Sequence, residues 1–357
     1  MSSELNWKSV FNKLTSREDL DIDQARWAMT QLISNEATPA QVGGFLLSIR
    51  TKGESVKELS GFVDVLLEHA VKPPLSPDAI DIVGTGGDQL GTVNISSMAA
   101  MLASAAGYPV LKHGSRSASG KTGSSEMLEA LGVNLELSPK QLAQVFEKVG
   151  ISFFFAPLFH PALKNVGPIR KELGVPTTFN YLGPLANPVQ PVATALGVAN
   201  ASVAPLMAAE MASRGRSALV FRGSDGLDEL TTTGTSTVWV VSGGKVTEST
   251  FDPESLSIKK AQVSDLIGGD ATENAAIARV ILSPVSELTG EQHSIRDIVA
   301  LNAAAGIAAY ELSKSTSGFD LNSELKNAFD LCRETIANGK AIAKLEAWVS
   351  ATQNTGE

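Results

Sequence analysis

Apolar positions near the start of the chain recur with the period of a helix. In TPAQVGGFLLSIRTKG, Thr38 stands as an N-cap, Pro39 suits the first helical position and Gln41 completes a capping box. Val42, Phe45, Leu46 and Ile49 then fall on one stripe. Ser55 and Glu58 repeat the capping box ahead of a second stripe, Leu59, Phe62, Val63 and Leu66. Residues 1 to about 72 read as a small helical unit, and the proline-rich VKPPLSPDA as the linker that ends it.

From residue 80 the pattern changes. Short apolar runs alternate with helical stretches: AIDIVG, an alanine-rich helix, YPVLKHG, EMLEALG, then TALGV, a helix near 202–214, and SALVF. Such alternation predicts a largely parallel sheet. TVWVVSGGKVTESTF places two strands around a Gly-Gly step and predicts a hairpin. Helical periodicity returns from about 292 onward. The predicted fold class is α/β: a small N-terminal helical domain over 1–75, and a large α/β domain over 76–357 with a central, mostly parallel sheet. The Gly- and Pro-rich segment 167–191 reads as a crossing between the two. Two domains also suit the length of 357 residues, since single cores tend to split beyond roughly 250–300.

Composition narrows the partners. The net charge of -9 argues against nucleic acid or an anionic membrane, both of which reward a basic surface. An anionic ligand must then be held by local features. The single cysteine, Cys332, shares a helical face with Leu325, Phe329 and Ile336 and reads as core, so no intrachain disulfide is available. The start lacks the basic-then-apolar layout of a signal peptide, and no apolar run approaches the ~20 residues of a spanning helix. A cytoplasmic location is the expectation.

Four segments carry candidate chemistry. In DIVGTGGDQLGTVNISS (81–97) a strand runs into Gly84–Asp88 and then into a helix opened by Asn94, Ser96 and Ser97. Glycines allow close approach of a ligand to the backbone, and the helix start favours an anion. An ordinary capped turn accounts for the segment equally well. The dinucleotide fingerprint fails, because its third glycine falls on Gln89. A P-loop ending at Gly120, Lys121 and Thr122 also fails, because its first glycine falls on Ser115, with Gly114 one residue early. Yet Lys112, Arg116 and Lys121, interleaved with glycines and serines, make a phosphate cradle that an otherwise acidic protein can carry. The alternative is a solvated basic loop. Asp225, Asp228 and Glu229 follow a strand and suit Mg²⁺, or form a solvated acidic turn. In FFFAPLFHPALKNVGPIRKELG (153–174), His160, Lys164, Asn165 and Arg170 would line a pocket walled by Phe153, Phe154, Phe155 and Phe159, although His160 also fits a structural histidine. His69 and His293 receive no role, and no histidine or cysteine cluster has zinc-ligand spacing.

Six blocks in order, GTGGD (84–88), TVNISS (92–97), KHGSRSASGKTGSSEMLEALG (112–132), FAPLFHPALKNVGPIRKELG (155–174), FNYLGPLANP (179–188) and DGLDEL (225–230), resemble the anthranilate phosphoribosyltransferase family over about residues 40–310. The resemblance implies a nucleoside-phosphorylase-type fold, a homodimer formed through the helical part, and two Mg²⁺ ions per subunit. It implies transfer of a phosphoribosyl group from 5-phosphoribosyl-1-diphosphate (PRPP) to anthranilate. It assigns Gly84, Gly87, Asp88, Thr92, Asn94, Ile95, Ser96 and Ser97 to the diphosphate and ribose. Lys112, His113, Gly114, Ser115, Arg116, Ser117, Ala118, Ser119 and Gly120, with Ser124, surround the phosphates. Ser96, Asp228 and Glu229 meet the metal. Arg170 meets the anthranilate carboxylate, with Gly84, Ser115 and His160 near the same substrate. One departure stands out: Ser115 occupies the place of a family asparagine whose amide contacts anthranilate. No general base is evident; water can take the amine proton, and His113 is the side-chain candidate. The rival readings are a pyrimidine-nucleoside phosphorylase of the same fold class and a non-catalytic relative that binds nucleic acid. DGLDE and HPALKNVGPIR favour the transferase.

Overall fold

The computed structural model describes residues 5–116, 122–315 and 318–355. The chain divides into two units, Met1–Val71 with Ala156–Pro188, and Lys72–Phe155 with Val189–Glu357. The helical unit begins with α1 (Trp7–Thr15), α2 (Ile22–Ile33), α3 (Pro39–Lys52) and α4 (Val56–Glu68). Both capping boxes form: the Gln41 N–H donates to Thr38 Oγ1 at 3.3 Å and the Thr38 N–H to Gln41 Oε1 at 2.9 Å, with the same exchange between Glu58 and Ser55. The two apolar stripes are buried in full. Glu58 does more than cap. Fully buried, it also accepts from the Leu20 N–H at 2.9 Å and from Lys52 Nζ at 2.9 Å, and Lys52 pairs in turn with Asp19. A buried carboxylate with both oxygens engaged ties α3 and α4 to the segment before α2.

The chain continues with β1 (Ile80–Gly84), α5 (Ile95–Ala105), β2 (Val110–Gly114), α6 (Ser124–Leu131), α7 (Pro139–Val149) and β3 (Ile151–Phe155). It re-enters the helical unit with α8 (Ala156–Phe159), α9 (Gly167–Leu173) and α10 (Phe179–Leu182). The second passage through that unit thus covers 156–188, earlier than the expected 167–191. Within it, Asn165 Nδ2 donates to the Ile33 carbonyl at the end of α2 at 2.6 Å. Then follow β4 (Ala193–Gly197), α11 (Ala204–Ser213), β5 (Ser217–Gly223), β6 (Ser236–Ser242), β7 (Lys245–Phe251), α12 (Ala271–Ile281), α13 (Gly290–Lys314), α14 (Leu321–Ala337) and α15 (Lys340–Gln353).

The seven strands form one sheet in the order β3-β2-β1-β4-β5-β6-β7. The first five are parallel; β6 and β7 are antiparallel and form the expected hairpin, with Gly243 and Gly244 both at positive φ in its turn. α13 packs across β1, β4 and β5, and Cys332 lies in the core with Leu325, Phe329 and Ile336. Phe153, Phe154 and Phe155, expected as a pocket wall, are buried residues of β3, a strand apolar along most of its length. The chain leaves β1 toward β2 and β3, then resumes at β4 on the other side of β1. That reversal opens a crevice at the carboxyl ends of β1 and β4, where open α/β sheets bind ligands. Among the described residues no helix is long and apolar enough to cross a membrane.

Candidate active site

β1 and β4 end side by side in glycine, Gly84 paired with Gly197. The loop after β5 explains both. It lays Asp228 across the two strand ends, so a Cβ on Gly84 would run into the Asp228 carboxylate and one on Gly197 into its backbone. Asp228 Oδ2 also accepts the Gly86 N–H at 2.7 Å. The turn beyond Gly84 holds Gly86, Gly87, Gln89 and Gly91 at positive φ, and such a run gathers backbone N–H groups into an anion-binding concavity. Gln89, the residue that breaks the dinucleotide fingerprint, adopts this conformation despite its side chain.

The Ser96 backbone in the first turn of α5 favours the charged form of Glu229, so one of the protein's own carboxylates faces this helix start. Asp88 and Asp228 act on each other's charge. Burial, then repulsion from Asp88, pushes Asp228 up to about 7; burial and Asp228 hold Glu229 well above the usual carboxylate range, and burial raises Asp88. Asp88, Asp228 and Glu229 therefore influence one another's charge near the switch point of the sheet.

Lys112 supplies positive charge to Glu229. It is 1 % exposed within β2, and its ammonium donates to the Ile82 carbonyl and, at 3.3 Å, to Ser96 Oγ. Burial lowers its pKa while Asp81, Glu229 and Asp228 resist that shift. Lys112, expected among the residues around the phosphates, here points its donors into β1 and α5, where it offsets the acidic cluster from within. His113 is likewise 3 % exposed inside β2, with its N–H on Asp81 Oδ1 at 3.2 Å, a poor position from which to take a substrate proton. Asp225 separates from its two neighbours. Its carboxylate accepts from the Thr231 and Thr233 hydroxyls at 2.5 and 2.6 Å and from the Leu227 N–H, so it staples the loop.

Asn94 stands at the start of α5 without capping it. Its Nδ2 donates to the Thr122 carbonyl at 3.1 Å, and its Oδ1 accepts from Asn274 Nδ2 at 2.9 Å. Asn274 Oδ1 accepts the Gly269 N–H at 2.8 Å, and Thr122 Oγ1 donates to the Gly269 carbonyl at 2.9 Å. The side chain read as a ligand group is thus a link between the glycine-rich turn and the base of the cradle loop. Thr92 forms a bridge with Ile267. The Ser97 hydroxyl, 1 % exposed, and the Ser125 hydroxyl are buried at the starts of α5 and α6 with no hydrogen-bond partner among the described residues. Gly114 ends β2, Ser115 is exposed after it, and Arg116 pairs with Glu129 at 3.0 Å and lies over the Phe155 ring. Ser124 opens α6. Ser117, Ala118, Ser119, Gly120 and Lys121 lie outside the described residues.

The remaining candidates belong to the helical unit. Arg170 on α9 is half-buried, donates to Asn180 Oδ1 at 3.3 Å and lies over the Phe179 ring at 5.3 Å. His160 is 4 % exposed, its Nε2 is 2.8 Å from the Ala186 carbonyl, and burial lowers its pKa. It joins two stretches of its own unit, which is the structural alternative that the sequence left open. Gly197, Asn274 and Asn302 were not singled out by the sequence reading. Asn302 had a visible signal, a lone amide within the small and apolar LNAAAGIAAY.

Two family models match the chain: the helical bundle domain of the glycosyl transferase family over residues 8–70, and the a/b domain of that family over 76–342. An anthranilate phosphoribosyltransferase of Leifsonia xyli subsp. xyli is 49% identical across 99% of this chain and 100% of its own length. The crystal structure of the Thermus thermophilus anthranilate phosphoribosyltransferase superposes with a TM-score of 0.85 at 37% identity, covering 96% of this chain and 99% of that one. The Saccharomyces cerevisiae enzyme in complex with PRPP and Mg superposes at 0.84 with 28% identity, covering 98% and 99%. With this agreement over both units, the chain belongs to the anthranilate phosphoribosyltransferase family.

Proposed function

We propose that the chain transfers the 5-phosphoribosyl group of PRPP to the amine of anthranilate and releases diphosphate, a step of tryptophan biosynthesis. Membership of the family along the whole chain supports the reaction. The observation that carries the site is Asp228 laid across the glycine ends of β1 and β4, with Glu229 next in the chain and Asp88 interacting with the pair.

Those residues fit magnesium. Among the described residues no three His, Cys, Asp or Glu side chains already form a metal-binding group. Mg²⁺ asks for less: one or two carboxylates, with waters and substrate phosphate oxygens completing its octahedron. The donor set is oxygen throughout, and it is buried and crowded with like charge that a divalent cation relieves. Asp228, Glu229 and the Ser96 hydroxyl are the proposed ligands, for two ions per subunit as in the family resemblance. When bound, Mg²⁺ supplies positive charge to the departing diphosphate.

The protein's own groups do the rest. The N–H groups of the turn at Gly84, Gly87 and Asp88, with Thr92, Ile95 and the buried Ser97 hydroxyl, are proposed to receive the diphosphate and ribose. Gly114, Ser115, Arg116 and Ser124 flank the cradle for the phosphates. Asn94 and Lys112 act from behind, the first by joining the turn to the cradle, the second by balancing the acidic cluster. Arg170 is proposed to read the anthranilate carboxylate, with Gly84 and Ser115 beside the acceptor. Displacement at the anomeric carbon then needs alignment and a stabilised leaving group; alignment alone is worth up to roughly 7–11 kcal/mol at ideal geometry. The arylamine proton becomes acidic as the new bond forms, and water accepts it. The family resemblance also supports a homodimer through the helical unit and a cytoplasmic location.

Fluorescence detection of phosphoribosyl-anthranilate formed from PRPP, anthranilate and Mg²⁺ tests the reading. Phosphorolysis of thymidine or uridine in place of that product would establish the phosphorylase instead.

A further inference from the structure

Asn302 lies on α13 and is completely buried. Its Oδ1 accepts the Leu230 N–H at 2.9 Å, and its Nδ2 donates to the Leu230 carbonyl at 2.9 Å and to the Ile298 carbonyl at 2.9 Å. One side chain thus satisfies both backbone groups of a single buried residue, as a neighbouring strand would. Leu230 directly follows Asp228 and Glu229. Outside the loop the Asp228 carboxylate accepts the Gly86 N–H and the Thr232 carbonyl accepts the Ala261 N–H, neither of which engages Leu230. Further bonds are internal: Asp225 holds Thr231 and Thr233, the Gly223 N–H donates to the Leu227 carbonyl, and the Thr231 N–H donates to Ser236 Oγ. They shape the loop. Asn302 fixes it to a separate element, a long helix packed across β1, β4 and β5.

We infer that Asn302 is a positioning residue for the carboxylate pair: by clasping the backbone of Leu230 it sets where Asp228 and Glu229 present their oxygens above the strand ends. The inference rests on the proposed role of that pair in holding Mg²⁺. An apolar side chain at 302 would leave the Leu230 N–H and carbonyl buried and unpaired, and the loop would rise to find partners. Supporting groups of this kind typically change metal affinity by about 10–100-fold when removed.

Asn302→Ser tests it, with hydrogen exchange on the metal-free full chain and steady-state kinetics on the enzyme supplied with Mg²⁺. The expected result is at least about tenfold faster exchange in the peptide covering 227–232, with α13 still protected, and a Mg²⁺ half-saturation raised about tenfold. The KM for anthranilate stays within about twofold. Unchanged loop exchange, an unchanged Mg²⁺ half-saturation, or an equal rise in every constant would overturn the inference. If Asn302→Ser does not fold, the wild-type chain decides: its 227–232 peptide must be as protected as α13, and rapid exchange there refutes the clasp. A wild-type chain that forms no product with Mg²⁺ would instead remove the proposed function, while the exchange result still judges the clasp.

Discussion

Gly84 and Asp228 approach so closely that a Cβ on the glycine would collide with the aspartate's carboxylate. The same carboxylate accepts the Gly86 N–H, and the backbone of Asp228 crosses Gly197. The glycine at the end of each strand is therefore a condition for placing a carboxylate, and the tight turn is only part of its purpose. Gly197→Ala tests this away from any proposed ligand contact. The added methyl must push the Asp228 backbone off the strand end, at a cost of about 1–3 kcal/mol in stability. A displacement on the order of 1 Å at the carboxylate should lower kcat/KM roughly 100-fold. Urea unfolding together with initial rates checks both, and a variant with wild-type kinetics would show that the loop tolerates the shift.

Asp228 is also a site where function opposes stability. Its folded pKa is raised from 3.8 to about 7 by burial and by Asp88. A carboxylate shifted upward contributes stability below its unfolded pKa and loses it as pH rises through the folded one. The metal-free chain should therefore weaken as pH rises from 3.8 through about 7. Asp228→Asn keeps an oxygen for the Gly86 N–H and removes the charge. In EDTA at pH 8 it should melt higher than wild type by roughly 3–6 °C. With PRPP, anthranilate and saturating Mg²⁺ it should turn over far more slowly, and replacing Asp228 and Glu229 together by alanine should abolish turnover at every Mg²⁺ level. A lower melting temperature for Asp228→Asn in EDTA would mean that the carboxylate is held by favourable contacts and is not strained.

Arg170 carries the prediction for the acceptor. Phe179 and Asn180 hold its guanidinium, and burial already lowers its pKa, so an anion would relieve a partly desolvated cation. Arg170→Ala should raise the KM for anthranilate about 10–100-fold and that for PRPP much less. Equal rises would assign Arg170 to the integrity of the helical unit. Ser115→Asn restores the amide of the family pattern and should lower the KM for anthranilate several-fold; a higher KM would mean that the surroundings have adapted to serine.

Much of this was legible in the chain, and the failures share a cause. Thr38 with Gln41 and Ser55 with Glu58 announce helix starts because capping is local, satisfied within four residues. The alternation from residue 80 announces the parallel sheet for a similar reason. Orientation is another matter. Lys112, Asn94 and Asp225 each carry chemistry suited to a ligand, and each turns that chemistry inward, to Ile82, to Thr122 and Asn274, and to Thr231. Residue type reveals what a side chain can bond; the partner is set by elements distant in sequence. The strand ISFFF was overlooked because a short, nearly unbroken apolar run has no period to read. The early return of the chain to the helical unit at 156 depends on non-local packing, such as the bond from Asn165 to the end of α2.

His160 gives a last test, on stability. It is buried, and burial lowers its pKa from 6.5 despite carbonyl contacts at Ala186 and Leu66 that favour the charged ring. Below pH 6.5 the unfolded chain takes up a proton that the folded chain refuses, so the unfolded state binds more protons and stability falls with pH. The contribution is complete above the unfolded pKa and is lost as pH falls toward the lowered folded value. Between pH 7.5 and 5.5 the urea midpoint of wild type should therefore fall relative to that of His160→Gln, which cannot protonate but keeps the opposing contribution of Asp228. The KM for anthranilate in His160→Gln should stay within about twofold of wild type, since the ring is engaged with the backbone of its own unit. An unchanged pH response in the variant would place the acid sensitivity elsewhere, and a large selective rise in that KM would return His160 to the substrate site.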